Sequence, residues 1–253
     1  MTALRVLVIA AALIAGWMAI VLIAQPPPYI LPGPLAVLAA FADHGGEIAR
    51  HAVTTAAEIL LGMLFGTLFG TASALFMAYC RPARRWLMPV LVISQALPVF
   101  ALAPLLVLWL GYGMGSKVAM ATLIIYFPVT AAFFDGLRRT ESGWLDLARI
   151  MNGSRLAVLR RVRIPAALPA LGSGLRVAAA VAPIGAVVGE WVGSSAGLGY
   201  LMLHANARLQ IDLMFAALAV LGVLAVALYY AVDAIMNRLT YWQPDTDLLQ
   251  EGP

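Results

Sequence analysis

The chain has 253 residues, 63% of them hydrophobic and only 11% charged, with a formal net charge of +4 and a single cysteine, Cys80. Soluble domains carry about 25% charged residues, so the composition excludes an ordinary soluble globular protein and points to a polytopic membrane protein. One cysteine excludes an internal disulfide and argues against a cysteine-based metal cluster, and the basic residues cluster beside apolar segments, as cytoplasmic loops do, rather than forming a nucleic-acid surface.

Crossing the hydrocarbon core takes roughly 20 apolar residues in a helix, with about 17 as the lower limit. Five charge-free runs reach that length: Val6–Ala24, Ile59–Cys80, Trp86–Ser116, Val118–Phe134 and Leu213–Val232. A sixth, Ala170–Val192, is interrupted by Arg176 and Glu190 near its ends. The expected fold is therefore all-α, with six transmembrane helices over about 4–24, 57–80, 87–110, 117–136, 170–192 and 211–236 in a single transmembrane domain, 1–253.

The first run follows Arg5 but is too long for a leader and has no small-x-small cleavage site before Gln25, so it is expected to remain as a span. Pro26-Pro27-Pro28 and Leu31-Pro32-Gly33-Pro34 end it. The second run carries Gly62, Gly66 and Gly70 at four-residue spacing, a small-residue ladder that lets helix backbones approach closely. Packing inside this subunit is the plainer role for the ladder; a dimer or gate contact is the other.

Charge fixes the orientation. With the amino terminus inside, twelve of the sixteen basic residues fall on the inner side and three (Arg50, Lys117 and Arg208) on the outer side. The positive-inside rule then places both termini and residues 138–169 in the cytoplasm. Gly193–Ala207 reads as an outer loop.

Within 138–169, Trp144–Met151 has helix formers with Ser142 as a cap in front. Asn152-Gly153 tolerates positive φ and predicts a sharp turn. Ser154 can cap a second helix through Val162, and Pro165 and Pro169 are expected to stop it before the next span. Leu145, Ala148, Ile150 and Met151 give the first helix an apolar surface, suited either to lipid headgroups or to a partner's groove.

At these residues the chain resembles the permease subunits of binding-protein-dependent ABC importers. Their cytoplasmic signature is Glu-Ala-Ala, three residues, Gly, nine residues, then Ile-x-Leu-Pro. Asp146-Leu147-Ala148 stands for the triplet, Asn152 with Gly153 for the glycine, and Val162-Arg163-Ile164-Pro165 closes the pattern at the same spacing. The departures are Asp for Glu, Leu for Ala and Asn for Gly; Asn is the commonest non-glycine residue in left-handed geometry. Ala103-Pro104-Leu105-Leu106 with Trp109-Leu110-Gly111, Leu31-Pro32-Gly33-Pro34, and Glu190 with Gly197-Leu198-Gly199-Tyr200 resemble the nitrate, taurine, sulfonate and thiamine-precursor branch. Within it, Tyr200–Ala207 and the Trp242-Gln243-Pro244-Asp245-Thr246 tail look like permeases for hydroxymethylpyrimidine.

The resemblance implies a type I importer permease fold, not an enzyme, with Asp146, Leu147, Ala148, Asn152, Gly153, Val162, Ile164 and Pro165 coupling to a cytoplasmic ATPase. It implies a periplasmic solute-binding protein, a permease dimer favoured as a homodimer, contact with membrane lipid, and residence in the bacterial inner membrane. No nucleic acid and no cofactor is implied, ATP being bound by the partner; Gly111–Lys117 is glycine-rich but lacks the phosphate-loop pattern and lies outside. Gln95 and Tyr126 could hydrogen-bond a solute or a neighbouring helix. Glu190 could serve a gate or be solvated at the outer boundary. His44, His51 and His204 lie near the outer side with no ligand spacing, so no metal site is expected. The rivals to an importer are an ion-coupled secondary transporter, which would need inverted repeats and midplane acids, a membrane-embedded enzyme and an assembly subunit. The spans show almost no midplane charge.

Overall fold

A computed structural model describes residues 3–243, so the tail residues Pro244-Asp245-Thr246 lie outside the described part. It is built of helices: α1 Ala3–Ala24, α2 Pro34–Tyr79, α3 Arg81–Ala96, α4 Val99–Leu110, α5 Met114–Arg138, α6 Ser142–Ile150, α7 Arg155–Val158, α8 Ile164–Gly193, α9 Leu198–Ala207 and α10 Ile211–Leu239. A π-helical turn, Leu159–Arg163, joins α7 to α8.

α5 is the centre, packed between α2 and α8. The glycine ladder of α2 makes this possible. A Cβ on Gly62 would come 2.5 Å from Ala121 Cβ, and one on Gly66 2.5 Å from Ile125 Cγ2. The ladder therefore packs inside the subunit, as its plainer reading had it. The opposite face of α5 meets α8 as closely: a Cβ on Gly185 would fall 2.7 Å from Ala121 Cα, and one on Gly174 2.8 Å from the Pro128 carbonyl oxygen. Ile59, Met63, Ala121, Ile125, Val129, Ala178 and Ala182 fill the middle of the bundle. Small residues dominate because, without water to drive helices together, van der Waals contact between close backbones must hold them.

Four expectations are corrected. First, α2 has 46 residues, about 69 Å at 1.5 Å per residue, against a core about 30 Å thick. It starts at Pro34, whose missing N–H costs nothing at a helix start, and no proline interrupts it. Its first half extends the span over 57–80. Second, the span expected over 87–110 is broken: Pro82–Ser94 and Val99–Leu110 meet at 103°, because Pro98 disfavours helical geometry in Leu97 before it. Third, the outer loop contains α9, whose Leu198, Leu201, Met202 and Ala205 are core residues. Fourth, Pro165 and Pro169 do not stop the chain: α7, the π turn and α8 run on as one 39-residue helical stretch. Ile164 N–H reaches back to Leu159 C=O, five residues earlier; this wider turn eases the clash that Pro165 would make with the preceding turn.

Among the described residues four helices are long and apolar enough to cross a membrane, or five if the bent pair is one span; the apolar stretch Val8–Ala24 of α1 is shorter. α1 ends at Ala24, ahead of the three prolines, and rests on the bundle through Trp17, stacked 5.7 Å from Phe215.

Candidate coupling site and buried polar network

The sequence singled out two regions, and the structure sets them at opposite ends of α8. At one end is the loop between α5 and α8. Glu141 holds the N-cap position of α6 and Ser142 is its first residue, one step from the expected cap; the Glu141 carboxylate instead accepts the Trp144 indole N–H at 3.0 Å. α6 ends at Ile150 with Met151 as its C-cap, and Asn152, φ +54°, is the left-handed residue of the turn that follows. Asn152 N–H donates to Arg149 C=O at 2.9 Å, and Gly153 N–H to Ala148 C=O at 2.9 Å. This is the Schellman arrangement, with Asn152 in the position that glycine usually holds. Gly153 is needed for close approach: a Cβ there would sit 3.0 Å from Ala148 O and 3.2 Å from Val158 Cγ2. Ser154 then caps α7 by accepting Ala157 N–H at 3.2 Å.

α6 has no buried residue. Trp144, Leu147, Ile150 and Met151 are exposed, Ile150 to 79%. Asp146 is exposed and bound to Arg149 at 2.7 Å on its own helix. Leu147 and Ala148 border a cavity of about 420 Å³ that Val162, Pro165 and Trp242 also line. Ile164 packs toward the inner core around Phe133, Leu137 and Leu159. The loop is anchored by Arg163, whose Nε and Nη2 donate to Leu137 C=O at 3.0 and 2.7 Å. A cation on one of the last carbonyls of α5 suits both the free acceptor and the negative end of the helix dipole.

At the other end lies a buried polar network. Glu190 is 1% exposed, which rules out solvation at the boundary. Three successive amides at the start of α9 each find a side-chain acceptor from another helix. Gly197 N–H donates to His51 Nδ1 at 2.9 Å, Leu198 N–H to Thr55 Oγ1 at 2.7 Å, and Gly199 N–H to Glu190 Oε2. Thr55 Oγ1 also donates to Glu190 Oε1 at 2.6 Å. These are orphan donors of a helix start, and the carboxylate sits at the positive end of the dipole. Gly197, φ +118°, leaves no room for a side chain: a Cβ would be 2.2 Å from Glu190 Oε1.

Lys117, counted outside from the sequence, is buried at the start of α5. It pairs with Glu58 Oε1 at 2.5 Å and donates to Ser194 Oγ at 2.9 Å. Three charged side chains, Glu58, Lys117 and Glu190, are therefore buried together where the sequence suggested spans nearly free of charge. Sequence reasoning missed Glu58 and Thr55; the signal was a lone acid on the edge of an apolar run, with the only lysine of the chain available as its partner. It likewise missed Asp233 and Asn237, which bind Arg176 at 2.6 and 2.7 Å and tie α8 to α10.

Of the pathway candidates, Tyr126 donates its hydroxyl to Ser73 Oγ at 2.8 Å, bonding α5 to α2. The side chain of Gln95 lies outside the described residues.

Comparison with known proteins follows the same lines. The chain is 55% identical over 238 residues to a probable ABC transporter permease protein of Haemophilus influenzae, covering 94% of this chain and 97% of that one. It is 35% identical over 233 residues to the riboflavin transport system permease protein of Chloroflexus aurantiacus, covering 91% and 87%. With the formylaminopyrimidine transport permease protein of Halalkalibacterium halodurans it shares 34% identity over 217 residues, covering 85% and 87%. The fold matches a chain of the MetNI methionine ABC transporter in an inward-facing conformation, with a TM-score of 0.68 over 78% of this chain and 98% of that one at 19% identity. Residues 62–241 match the binding-protein-dependent transport system inner membrane component. The chain belongs to that family: it is a transport subunit, the permease of an ABC importer, and not an enzyme.

Proposed function

We propose that this permease couples to its ATPase through α6 and carries a small organic solute of the hydroxymethylpyrimidine type, a thiamine precursor. The observation that supports coupling is α6 itself: a nine-residue helix with no buried residue, large apolar side chains outward, and a rigid turn at Asn152-Gly153 behind it. A helix that the rest of its own chain leaves bare suits a groove in a partner. Asp146, Leu147 and Ala148 form its contact stretch, Asn152 and Gly153 set its angle, and Val162, Ile164 and Pro165 carry its movement into α8. Two copies of the chain form the pathway in the inner membrane with six spans each and both termini in the cytoplasm. A binding protein delivers the solute at the α9 end, and the resulting rocking of the bundle switches access.

The solute reading is supported by the pyrimidine named for the relative from Halalkalibacterium halodurans. A second reading, a taurine-, sulfonate- or nitrate-type solute, fits the branch features equally, and the riboflavin relative widens the range. The ion-coupled alternative is not favoured by family or fold. The decisive experiment measures ATPase activity of the assembled transporter in lipid, with its binding protein, with and without hydroxymethylpyrimidine. Stimulation by that solute is expected. An assembled ATPase indifferent to it refutes the solute, and failure of any ATPase to assemble refutes the coupling role of α6.

A further inference from the structure

We infer that the amino end of α9 is a proton-sensitive latch, released when His51 takes up a proton. The direction of one hydrogen bond carries the argument. A backbone amide can only donate, so the 2.9 Å contact from Gly197 N–H makes His51 Nδ1 an acceptor. His51 is then neutral, with its hydrogen on Nε2. A second proton would go to Nδ1 and point straight at the amide, setting two donors face to face. The bond and the charged imidazole exclude each other.

The neighbouring positions show why this one contact matters. Thr55 Oγ1, which holds the next amide, keeps its lone pairs at any pH. Glu190 holds the third amide and is buried. His51 is the one member of the trio whose ordinary titration range falls between about pH 5 and 8. It faces Glu47 and Arg50 on its own helix, His204 and Tyr200 on α9, and, beyond Thr55 and Gly197, Glu190 on α8. Tyr200 passes the change on, its ring 5.8 Å from His51 and 4.0 Å from His204. Gly197 adopts φ +118°, a geometry that its neighbours must hold in place. The latch stands at the far end of α8 from the coupling loop, so it reads the pH of the compartment opposite the ATPase.

The test uses the full chain in lipid nanodiscs, with Cys80→Ala and a nitroxide on Ser195→Cys, an exposed position in the turn before α9. Spectra are taken from pH 8 to pH 5. The label is expected to loosen as pH falls through the histidine range. His51→Asn, which places an oxygen acceptor where Nδ1 stood, is expected to stay ordered throughout; His51→Ala is loose at both extremes; His204→Gln keeps the pH response. Persistence of the response in His51→Asn, its loss in His204→Gln, or no response in the parent chain overturns the latch. A second readout needs no substitution. Nitrogen-15 histidine spectra at pH 8 should show His51 protonated on Nε2 alone, and a proton on Nδ1 at that pH refutes the proposal.

Discussion

Asn152 shows how one residue can carry a family feature in altered form. Glycine enters left-handed geometry without strain, whereas a side chain costs about 1–2 kcal/mol there, least for Asn. At φ +54° the residue pays little as Asn and would pay most when β-branched. Asn152→Val is therefore expected to weaken solute-stimulated ATPase activity and lower the melting temperature, while Asn152→Gly leaves both near the parent values. Equal activity in the two variants would mean that the angle of α6 is set elsewhere. A harsher case is the pair Lys117–Glu58, both nearly inaccessible. Removing one partner of a buried pair leaves an uncompensated charge and costs about 3–5 kcal/mol, whereas replacing both by apolar residues is often tolerated. Thermal unfolding in detergent should show Lys117→Met badly destabilised and the double variant Glu58→Leu/Lys117→Met recovered; equal damage in both would remove the pair from the stability of the bundle. The turn was legible in the sequence because it depends on neighbours in the chain. The pair was not, because its members lie far apart in sequence and only the packing of α2 on α5 joins them.

At the scale of elements, α2 and α5 are matched surface to surface. Gly66 faces Ile125 so closely that a Cβ would come within 2.5 Å of its Cγ2. Gly66→Leu should force the helices apart, and Ile125→Ala in the same chain should restore part of the loss, because the two positions share one space. Monodispersity on gel filtration and melting temperature are the measures; a double variant no better than the single would show that the strain lies elsewhere along the ladder. The ladder itself was readable, since glycines every four residues mark a face. The length of α2 was not. Hydropathy registers only the apolar carboxyl-terminal half, and the amino-terminal half, with Asp43, His44, Glu47 and Arg50, reads as loop. The break at Leu97-Pro98 was hidden by the opposite effect: the run stays apolar across it, so composition cannot distinguish one straight helix from two that meet at 103°. The prolines at 165 and 169 misled for a third reason. A proline breaks a helix through its clash with the preceding turn and its missing N–H; the π turn Leu159–Arg163 eases that clash for Pro165, and α8 runs on through Pro169 all the same.

For the whole molecule, the proposed coupling role of α6 raises the question of how a movement there would reach the far end. Two routes leave the loop. One is covalent: α7, the π turn and α8 form a continuous helix that ends beside Glu190 and the start of α9. The other is the Arg163 clamp on Leu137 C=O, which ties the same turn to α5 and, through the Lys117–Glu58 pair at the other end of α5, to α2. If α8 moved alone it would slide past α5, and the close contacts at Gly174 and Gly185 oppose that. With the clamp in place, α5 and α8 are expected to move as a unit. Arg163→Met keeps the apolar stem but loses both hydrogen bonds to the carbonyl, contacts of a kind worth roughly 1.5–3 kcal/mol where a charge is involved; partial exposure of the guanidinium reduces this. The variant is expected to fold, insert and assemble with the ATPase, and to retain basal hydrolysis. Solute-stimulated hydrolysis and uptake are expected to fall together, because the ATPase end can still turn while the bundle no longer follows as one body. Full stimulation in Arg163→Met would leave the continuous helix as the sole route, and loss of assembly would mean that the clamp shapes the docking surface instead of transmitting through it.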